Sequence, residues 1–228
     1  MASPKGRFLN LLGALVLREA QVLAVEPAGP DFRLLRLRGD PGAPFQPGDK
    51  IQVVLPSQDV RTLTPVRWSS GGETELLVYQ RDADTPAMRW LRDLKPGETL
   101  RFVGPQRSLS LAEGRAVVVG DETSIAVAAA YAQARPGQAR AVIEVGPDVE
   151  VGPALAAVGL EAATVLRRGR DGEGDPGLLD AALHAPADAI GVTGGAGLVQ
   201  RARDGLRGRG AAGVKVKTYW VQGRAGLD

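Results

Sequence analysis

The stretch that decides the fold runs from residue 116 to residue 131 and reads AVVVGDETSIAVAAAY. Its first four residues are apolar without interruption, as in a strand that is buried on both faces of a sheet. The turn sequence GDET follows at once, and an Ala-rich segment suited to a helix continues to about residue 135. A strand that leads through a short turn into a helix is the opening unit of a doubly wound parallel sheet.

The rest of the chain after residue 115 repeats this alternation of strands and helices. Further strands are predicted at 141–145, 163–166, 189–192 and 214–221, and helices near 153–158, 178–183 and 198–209. The polar, Gly-rich segment 167–176 is predicted to be a solvated loop. This half of the chain is therefore predicted to be an α/β domain.

Residues 18–112 have a different sequence pattern, in which short apolar or alternating segments are separated by turns rich in Gly and Pro. The segment FRLLRLR, which starts at Phe32, largely alternates, as a half-buried strand does. About six strands at this spacing, with one helix near 85–94, predict an antiparallel six-stranded β barrel. We therefore predict a barrel domain over residues 1–112, with an N-terminal helical leader, and an α/β domain over residues 113–228.

The composition excludes several classes of site and partner. The 228 residues include no Cys and one His, so disulfides, metal sites and His-dependent nucleophiles are not expected, and His184 is expected on a helix surface. The net charge of +2 is too small to suggest nucleic acid binding. No apolar run approaches the roughly 20 residues that span a bilayer, and the apolar stretch 8–17 lacks a clear signal cleavage site. A cytoplasmic monomer without membrane contact is expected.

Three stretches contain the residue types that bind cofactors. Residues 120–123 (GDET) and 193–197 (TGGAG) each follow a predicted strand and open a helix, where free backbone N–H groups can receive a phosphate or carboxylate. Residues 61–65 (RTLTP) combine an Arg that can clamp a phosphate with hydroxyls that can bond a ring nitrogen. Each stretch also has a simpler interpretation, since tight turns, capping threonines and surface arginines are common without any ligand.

Taken in order along the chain, seven segments resemble the siderophore-interacting, FAD-binding proteins, a branch of the ferredoxin–NADP reductase superfamily. The segments are FRLLRLRGD, FQPGDKIQVVLP, RTLTPVRW, DTPAMRWLRDLKPGETLRFVGPQ, VVVGDETSIAVAAAY, TGGAGLVQRARDGLRGRG and TYWVQG. Their order and spacing cover residues 18–223, and GDETS and the terminal YWxxG are the most specific. The resemblance implies a flavin-binding barrel followed by a nicotinamide-binding half. It also implies FAD as cofactor, with NAD(P)H or a ferredoxin as electron donor, and reduction of siderophore-bound iron(III) to iron(II).

The resemblance assigns residues to the FAD site. Arg61 stands where the family has an Arg at the FAD phosphates, and Thr64 stands where it has a hydroxyl that faces the isoalloxazine. Leu63 replaces an aromatic residue of the family, which removes a stacking partner worth about 0.5–1.5 kcal/mol, and Met88 replaces a hydroxyl residue. The implied FAD-binding set is Arg61, Thr62, Leu63, Thr64, Thr85, Ala87, Met88, Asp121, Glu122, Thr123, Tyr219 and Trp220.

Two further sets follow from the resemblance, and two alternative functions stay open. The implied nicotinamide-binding set is Gly120, Thr193, Gly194 and Gly195, of which the last replaces a Glu of the family. Because many siderophore complexes are anionic, a basic substrate surface is expected from Lys50, Arg67, Arg107 and Lys217. No catalytic side chain is expected, since a bound flavin does the chemistry. The alternatives are a general NAD(P)H-dependent flavin or ferredoxin reductase, and a divergent, non-catalytic binding or regulatory member that binds flavin weakly.

Overall fold

The structure, a computed structural model, describes residues 17–39, 44–80 and 84–223, which form two sheets and five α-helices. The first sheet contains β1 (Leu17–Pro27), β2 (Phe32–Gly39), β3 (Asp49–Val54), β4 (Val60–Leu63), β5 (Pro65–Trp68), β6 (Glu73–Tyr79) and β7 (Thr99–Arg107). The second contains β8 (Ala116–Gly120), β9 (Ala139–Val145), β10 (Thr164–Arg167), β11 (Ala189–Gly195) and β12 (Val214–Trp220). The helices are α1 (Pro86–Asp93), α2 (Ile125–Ala134), α3 (Gly152–Ala157), α4 (Leu178–Leu183) and α5 (Ala196–Gly208). The predicted N-terminal leader lies outside the described residues.

The first sheet is antiparallel and has seven strands, where six are expected from the sequence. Its order is β4-β3-β7-β1-β2-β6-β5, so the two edge strands are neighbours in the chain and the sheet is barrel-like without being closed. The extra strand arises because Thr64 separates β4 from β5. Pro65 then has no N–H to donate to a ladder, and the register shifts between Pro65 and Arg67.

The second sheet is parallel throughout and has the order β10-β9-β8-β11-β12, which confirms the predicted doubly wound architecture. The chain runs outward from β8 to β10 and then returns to place β11 on the other side of β8. The switch point of the sheet therefore lies between the carboxyl ends of β8 and β11. No helix among the described residues combines the length and the apolar character needed to cross a membrane.

The helix α2 forms a layer between the two sheets. Residues 125–131 are all buried, as expected for a helix that contacts apolar surfaces on opposite sides. One face packs with Phe32, Val66 and Leu77 of the barrel-like sheet, and another packs with strands of the parallel sheet, in a single core cluster. Two other clusters fill the inside of the barrel-like sheet and the opposite face of the parallel sheet.

The connection between the sheets, residues 108–115, is held by side chains of α2 and its carboxyl end. The Tyr131 hydroxyl accepts a hydrogen bond from the Leu111 N–H at 3.1 Å and donates one to the Leu109 carbonyl at 3.0 Å. The Arg135 guanidinium donates to three further carbonyl groups of the same connection. These bonds tie the two halves of the chain to a common helix.

Candidate cofactor site

A cavity of about 610 Å³ lies between the barrel-like sheet and the carboxyl edge of the parallel sheet. Its volume falls within the roughly 300–1,000 Å³ that is usual for cofactor and small-molecule sites. The barrel-like half contributes residues 60–64 of β4 and the following turn, residues 77–79 of β6, and the first turns of α1. The connection between the sheets contributes Ser108, and the α/β half contributes Glu122, Thr123, Ala126 and residues 217–223.

The structure brings together every residue of the predicted FAD set except Asp121. The two halves of the chain supply them from segments as far apart as Arg61 and Trp220, which are 159 residues apart, so only the fold places them on one cavity. The sequence interpretation missed several lining residues, because most are apolar residues typical of any core strand or helix and the polar ones belong to no recognisable motif. These residues are Val60, Leu77, Val78, Tyr79, Trp90, Ser108, Ala126, Thr218, Val221, Gln222 and Gly223.

The barrel wall presents Arg61 and Leu63 to the cavity. Arg61 lies on β4, an edge strand, and forms no ion pair with any acidic side chain in the part of the chain that the structure describes. Its planar fork of donors therefore remains available for an anionic ligand, and phosphate matches that geometry well. Leu63 is half-buried and also packs against the interior core of the barrel-like sheet.

The first turn of α1 forms a second part of the wall. Thr85 caps the helix, because its side-chain hydroxyl accepts a hydrogen bond from the Met88 N–H at 3.3 Å, and Pro86 occupies the first turn. The Met88 N–H is therefore already used within the protein. The Ala87 N–H has no acceptor within the helix and none among the other described carbonyls.

The α/β wall contains Glu122, a carboxyl group that is only 4% exposed. Its Oε1 accepts hydrogen bonds from the Gly146 N–H and from the Arg168 guanidinium, the latter at 2.7 Å. Burial raises the pKa of Glu122, and the positive charge of Arg168 and the hydrogen bond from Gly146 oppose that rise. Glu122 thus lines the cavity, and its carboxyl group is held by hydrogen bonds from Gly146 and Arg168.

Two aromatic residues of β12, Tyr219 and Trp220, close the cavity from the last strand. The Tyr219 hydroxyl is buried and faces the side chains of Thr64 and Thr193, but it forms no hydrogen bond of good geometry with a described residue. Burial raises the pKa of Tyr219 to about 12, so its hydroxyl remains a proton donor at neutral pH. A buried donor without a partner is uncommon in native proteins and suits a site whose ligand supplies an acceptor.

Asp121 lies behind this wall rather than on it. The side chain is fully buried, and its Oδ1 accepts hydrogen bonds from the N–H and the hydroxyl of Thr123. Its Oδ2 accepts one from the Gly195 N–H at 2.7 Å and another from the Trp220 indole N–H at 2.9 Å. Asp121 therefore holds Trp220 in place and is not positioned to contact a ligand in the cavity.

The predicted nicotinamide-binding residues do not line the cavity, and all of them are buried. A Cβ atom at Gly194 would lie 2.6 Å from the Asp121 carboxyl carbon, and one at Gly195 would lie 2.6 Å from the Trp220 indole ring. These two glycines thus allow a close approach by protein side chains rather than by a ligand. The four residues of this set that lie outside the cavity lining are Gly120, Thr193, Gly194 and Gly195.

The expected basic substrate surface is not assembled either. Of its four members, Lys50, Arg67, Arg107 and Lys217, only the last lines the cavity. Arg67 pairs with Glu75 at 3.6 Å, and Arg107 pairs with Asp49 at 3.4 Å. Lys50 lies on β3, away from the cavity lining, and it too has an interaction within the protein. The sequence shows these positive charges but not the acidic partners that the fold gives to the two arginines.

The combination of a barrel-like antiparallel sheet, a doubly wound parallel sheet and a cavity between them defines the ferredoxin-reductase-like fold. The siderophore-interacting protein from Acinetobacter baumannii is similar to this chain, with a TM-score of 0.72 and 17% identity over 92% of both chains. A siderophore utilization protein from T. fusca has a TM-score of 0.70 and 21% identity, and covers 93% of this chain and 95% of its own.

A ferredoxin reductase of carbazole 1,9a-dioxygenase is also similar, with a TM-score of 0.70 and 20% identity over 90% of this chain and 67% of its own. These likenesses confirm the fold that the sequence resemblance implies. No protein-family model matches the sequence, and no curated protein matches it.

Proposed function

We propose that the chain is an FAD-dependent oxidoreductase that reduces iron(III) held by a siderophore and so releases iron(II). The observation that carries the proposal is the convergence of four features on one cavity. They are an arginine that has no ion pair and a buried tyrosine hydroxyl that has no hydrogen-bond partner among the described residues, a helix N-terminus, and two aromatic side chains. Donors for an anion on one side and aromatic and apolar surface on the other match a cofactor that has both phosphates and a flat ring system.

The residues on the cavity fit the two chemical parts of FAD. Arg61 and the Ala87 N–H are donors suited to the phosphates, and the positive end of the α1 dipole adds to them. Thr64 and Tyr219 offer hydroxyls suited to the polar edge of the ring system, and Leu63, Met88 and Trp220 offer apolar and aromatic surface to its faces. When bound, FAD supplies the electron-carrying chemistry, and the protein supplies binding and orientation.

The side chains of this site bind and shield rather than react. Tyr219 and Trp220 of β12 and Ala126 of α2 line the cavity on the side of the α/β half, where they would limit access of water to a bound ring system. Glu122 is held by Arg168 and Gly146, which keeps its carboxyl group from turning into the cavity as an unpaired charge. No side chain needs to act as nucleophile for electron transfer.

Two structural likenesses support a ferric siderophore as the substrate. They are to a siderophore-interacting protein and to a siderophore utilization protein. Iron(III) needs one electron to become iron(II), which binds the hard oxygen ligands of a siderophore more weakly. The released metal is a product and needs no ligand set in the protein. Lys217, on the wall of the cavity, is the one member of the predicted basic set that is placed to contact an anionic complex there.

An anaerobic assay tests the proposal. The protein is loaded with FAD, freed of unbound flavin, and photoreduced with a sacrificial amine as electron donor, which is then removed. It is mixed with a ferric hydroxamate or ferric catecholate siderophore and a colorimetric iron(II) chelator. We expect the oxidised flavin spectrum to return as the iron(II) chelate appears, faster than with the same concentration of free reduced FAD. A flavin that stays reduced in the presence of both siderophore classes would contradict the proposal.

The alternative of a general ferredoxin reductase is favoured by one observation, the likeness to the ferredoxin reductase of carbazole 1,9a-dioxygenase. The same reduced, FAD-loaded protein distinguishes the two functions. Rapid electron transfer to an oxidised ferredoxin, with none to a ferric siderophore, would favour the alternative. A protein that retains no FAD under either condition would instead favour the non-catalytic interpretation.

A further inference from the structure

Sulfur is rare in this chain, and the cavity holds one of its two sulfur atoms. The sequence has no Cys and two Met, which are Met1 and Met88. Met1 lies outside the described residues, and Met88 lines the cavity. In a chain without cysteine, the methionine thioether is the group that peroxides oxidise most readily, and the product is a sulfoxide. An oxidant that reaches the cavity therefore meets a reactive group on its wall.

Met88 is open to small molecules from the cavity. It is the third residue of α1, in the first turn of the helix, and it is partly exposed. Its helix neighbours Ala87 and Leu91 are buried instead. Hydrogen peroxide is only slightly larger than water, so it reaches a partly exposed residue on the wall of a cavity of about 610 Å³. Oxidation of the thioether therefore needs no unfolding of α1.

Met88 also contacts the interior of the barrel-like sheet. It packs against the core there, as Leu63 and Trp90 of the cavity wall do. A thioether suits this position, because it is apolar and adapts to an irregular surface. A sulfoxide is polar, and burying its oxygen against apolar groups without a donor costs free energy. Oxidation therefore favours a side chain that turns from the core towards the cavity.

The donors that a sulfoxide oxygen finds on this wall are those proposed for the FAD phosphates. The Met88 N–H is used by the Thr85 hydroxyl at 3.3 Å. The Ala87 N–H has no acceptor among the described residues, and Arg61 forms no ion pair with a described acidic side chain. A sulfoxide oxygen that accepts from either group removes a donor from the phosphates, and one that accepts from neither brings its negative charge density close to them. In both cases the cavity holds FAD less tightly.

We propose that Met88 is a peroxide-sensitive switch of the cofactor site, in which oxidation of its thioether lowers the affinity of the cavity for FAD. In this step hydrogen peroxide transfers one oxygen atom to the sulfur, which loses two electrons, and the rest of the peroxide leaves as water. No other bond of the side chain breaks, so methionine sulfoxide reductases return the sulfoxide to the thioether. The inference rests on the proposed function, since FAD is the ligand whose binding changes.

The proposed function also supplies the oxidant beside Met88. When no ferric substrate is present, dioxygen takes two electrons and two protons from a reduced flavin and becomes hydrogen peroxide. Iron(II) that is released into peroxide reacts with it to form damaging radicals. Loss of FAD from the oxidised protein stops further release of iron(II), so the switch acts at the time when that release is harmful.

Peroxide treatment of the FAD-free protein, followed by peptide mass spectrometry and titration with FAD, tests the inference. We expect one added oxygen atom on the peptide that contains Met88. FAD binding should weaken by about tenfold, as expected for the loss of one charge-assisted hydrogen bond. Methionine sulfoxide reductases for both epimers should restore the mass and the affinity. Met88→Gln, which places a permanent polar group near the position of the sulfoxide, should bind FAD as weakly as the oxidised wild type.

The matched control combines Met88→Leu with Ala156→Met. Ala156 is exposed on α3 and does not line the cavity, so this variant has an oxidisable sulfur away from the site. Peroxide should oxidise that sulfur and leave the FAD affinity of the variant at its value before treatment. An equal loss of affinity in the control would show that peroxide acts on another group, and would overturn the inference.

Two further results would overturn it. One is an oxidised Met88 with unchanged FAD affinity, and the other is a Met88 that stays unoxidised while the exposed methionine of the control reacts. Circular dichroism before and after treatment shows whether the fold is kept, and loss of the fold on oxidation would also count against a local switch. An untreated wild-type protein that binds no FAD would contradict the proposed function, and the inference with it, which the titration shows before any peroxide is added.

Discussion

Arg61 is the residue on which cofactor affinity in the proposed site depends most directly. It is the arginine on the barrel wall of the cavity, and no described acidic side chain neutralises it. If it donates a charge-assisted hydrogen bond to an FAD phosphate, Arg61→Ala should weaken FAD binding by about 1.5–3 kcal/mol, or roughly tenfold or more. Titration of the FAD-free protein with FAD, followed by flavin fluorescence, measures this change.

Arg101→Ala is the matched control for that titration. Arg101 is an exposed arginine on β7 that does not line the cavity, so its removal changes the net charge equally without touching the proposed site. We expect FAD affinity within a factor of two or so of wild type, as for most surface substitutions. Equal losses in both variants would mean that Arg61 acts only through net charge.

Leu63 gives a second prediction at the scale of a single residue. It lines the cavity but offers no aromatic face, and the aromatic groups of the site come instead from Tyr79, from Trp90, and from Tyr219 and Trp220 of β12. Leu63→Tyr should raise FAD affinity by about 0.5–1.5 kcal/mol if the cavity accepts the larger ring. The same fluorescence titration tests this, and weaker binding would show that the aromatic residues of β12 already occupy the stacking position.

At the scale of elements, the contact of α2 with the connection between the sheets is predicted to be a stability determinant. Tyr131→Phe removes the hydroxyl that bonds both the Leu111 N–H and the Leu109 carbonyl, and leaves two buried backbone groups unpaired. We expect a loss of about 1–3 kcal/mol in the free energy of unfolding, measured by urea denaturation. Arg170→Ala, which breaks an ion pair between two exposed side chains, should cost less than about 0.5 kcal/mol.

The pairing of Glu122 with Arg168 links the ends of β8 and β10 and predicts a pH-dependent stability. Because burial raises the pKa of Glu122, the unfolded chain releases this proton at lower pH than the folded chain does, and stability falls as pH rises through that interval. The positive charge of Arg168 opposes this rise in the pKa of Glu122. In Arg168→Ala the pKa of Glu122 should therefore be higher, and the loss of stability should extend to higher pH. The variant should be destabilised by roughly 3 kcal/mol at pH 7 and by less at pH 4.

A second substitution shows whether the effect of Arg168→Ala operates through Glu122. In the double variant with Glu122→Gln, no buried charge is left at that position, so much of the stability lost at pH 7 should return. Urea denaturation of the single and double variants at both pH values gives the comparison. If Arg168→Ala lowers the free energy of unfolding equally at pH 4 and pH 7, the effect comes from lost packing and not from the charge of Glu122.

For the whole molecule, the sequence predicts the architecture well because both halves have clear local patterns. The uninterrupted valines of β8 and the buried α2 are visible in residues 116–131 alone, and the structure confirms a parallel doubly wound sheet there. The sequence predicts one strand fewer in the barrel-like sheet because the break at Thr64 depends on how Pro65 meets a neighbouring strand.

The candidate site is only partly predictable, for reasons that lie in long-range contacts. The segment TGG after residue 192 favours a turn by composition, yet pairing with β12 extends β11 through Gly195. The role of Asp121 depends on Gly195 and Trp220, which are 74 and 99 residues away in the chain. Local sequence patterns identify residues suited to bind a ligand, but they do not show that a protein group already occupies the position.

Hydrogen–deuterium exchange with and without FAD tests most directly whether the cavity between the two sheets is the flavin site. We expect FAD to slow exchange in residues 60–64, in the first turn of α1 and in residues 217–223, which form the cavity wall, with the largest effects at the Ala87 N–H. Exchange at residues 193–195 should not change, because they lie outside the cavity lining, β11 pairs there with β12, and Asp121 already accepts the Gly195 N–H. Protection confined to 193–197, or no protection at saturating FAD, would contradict the account.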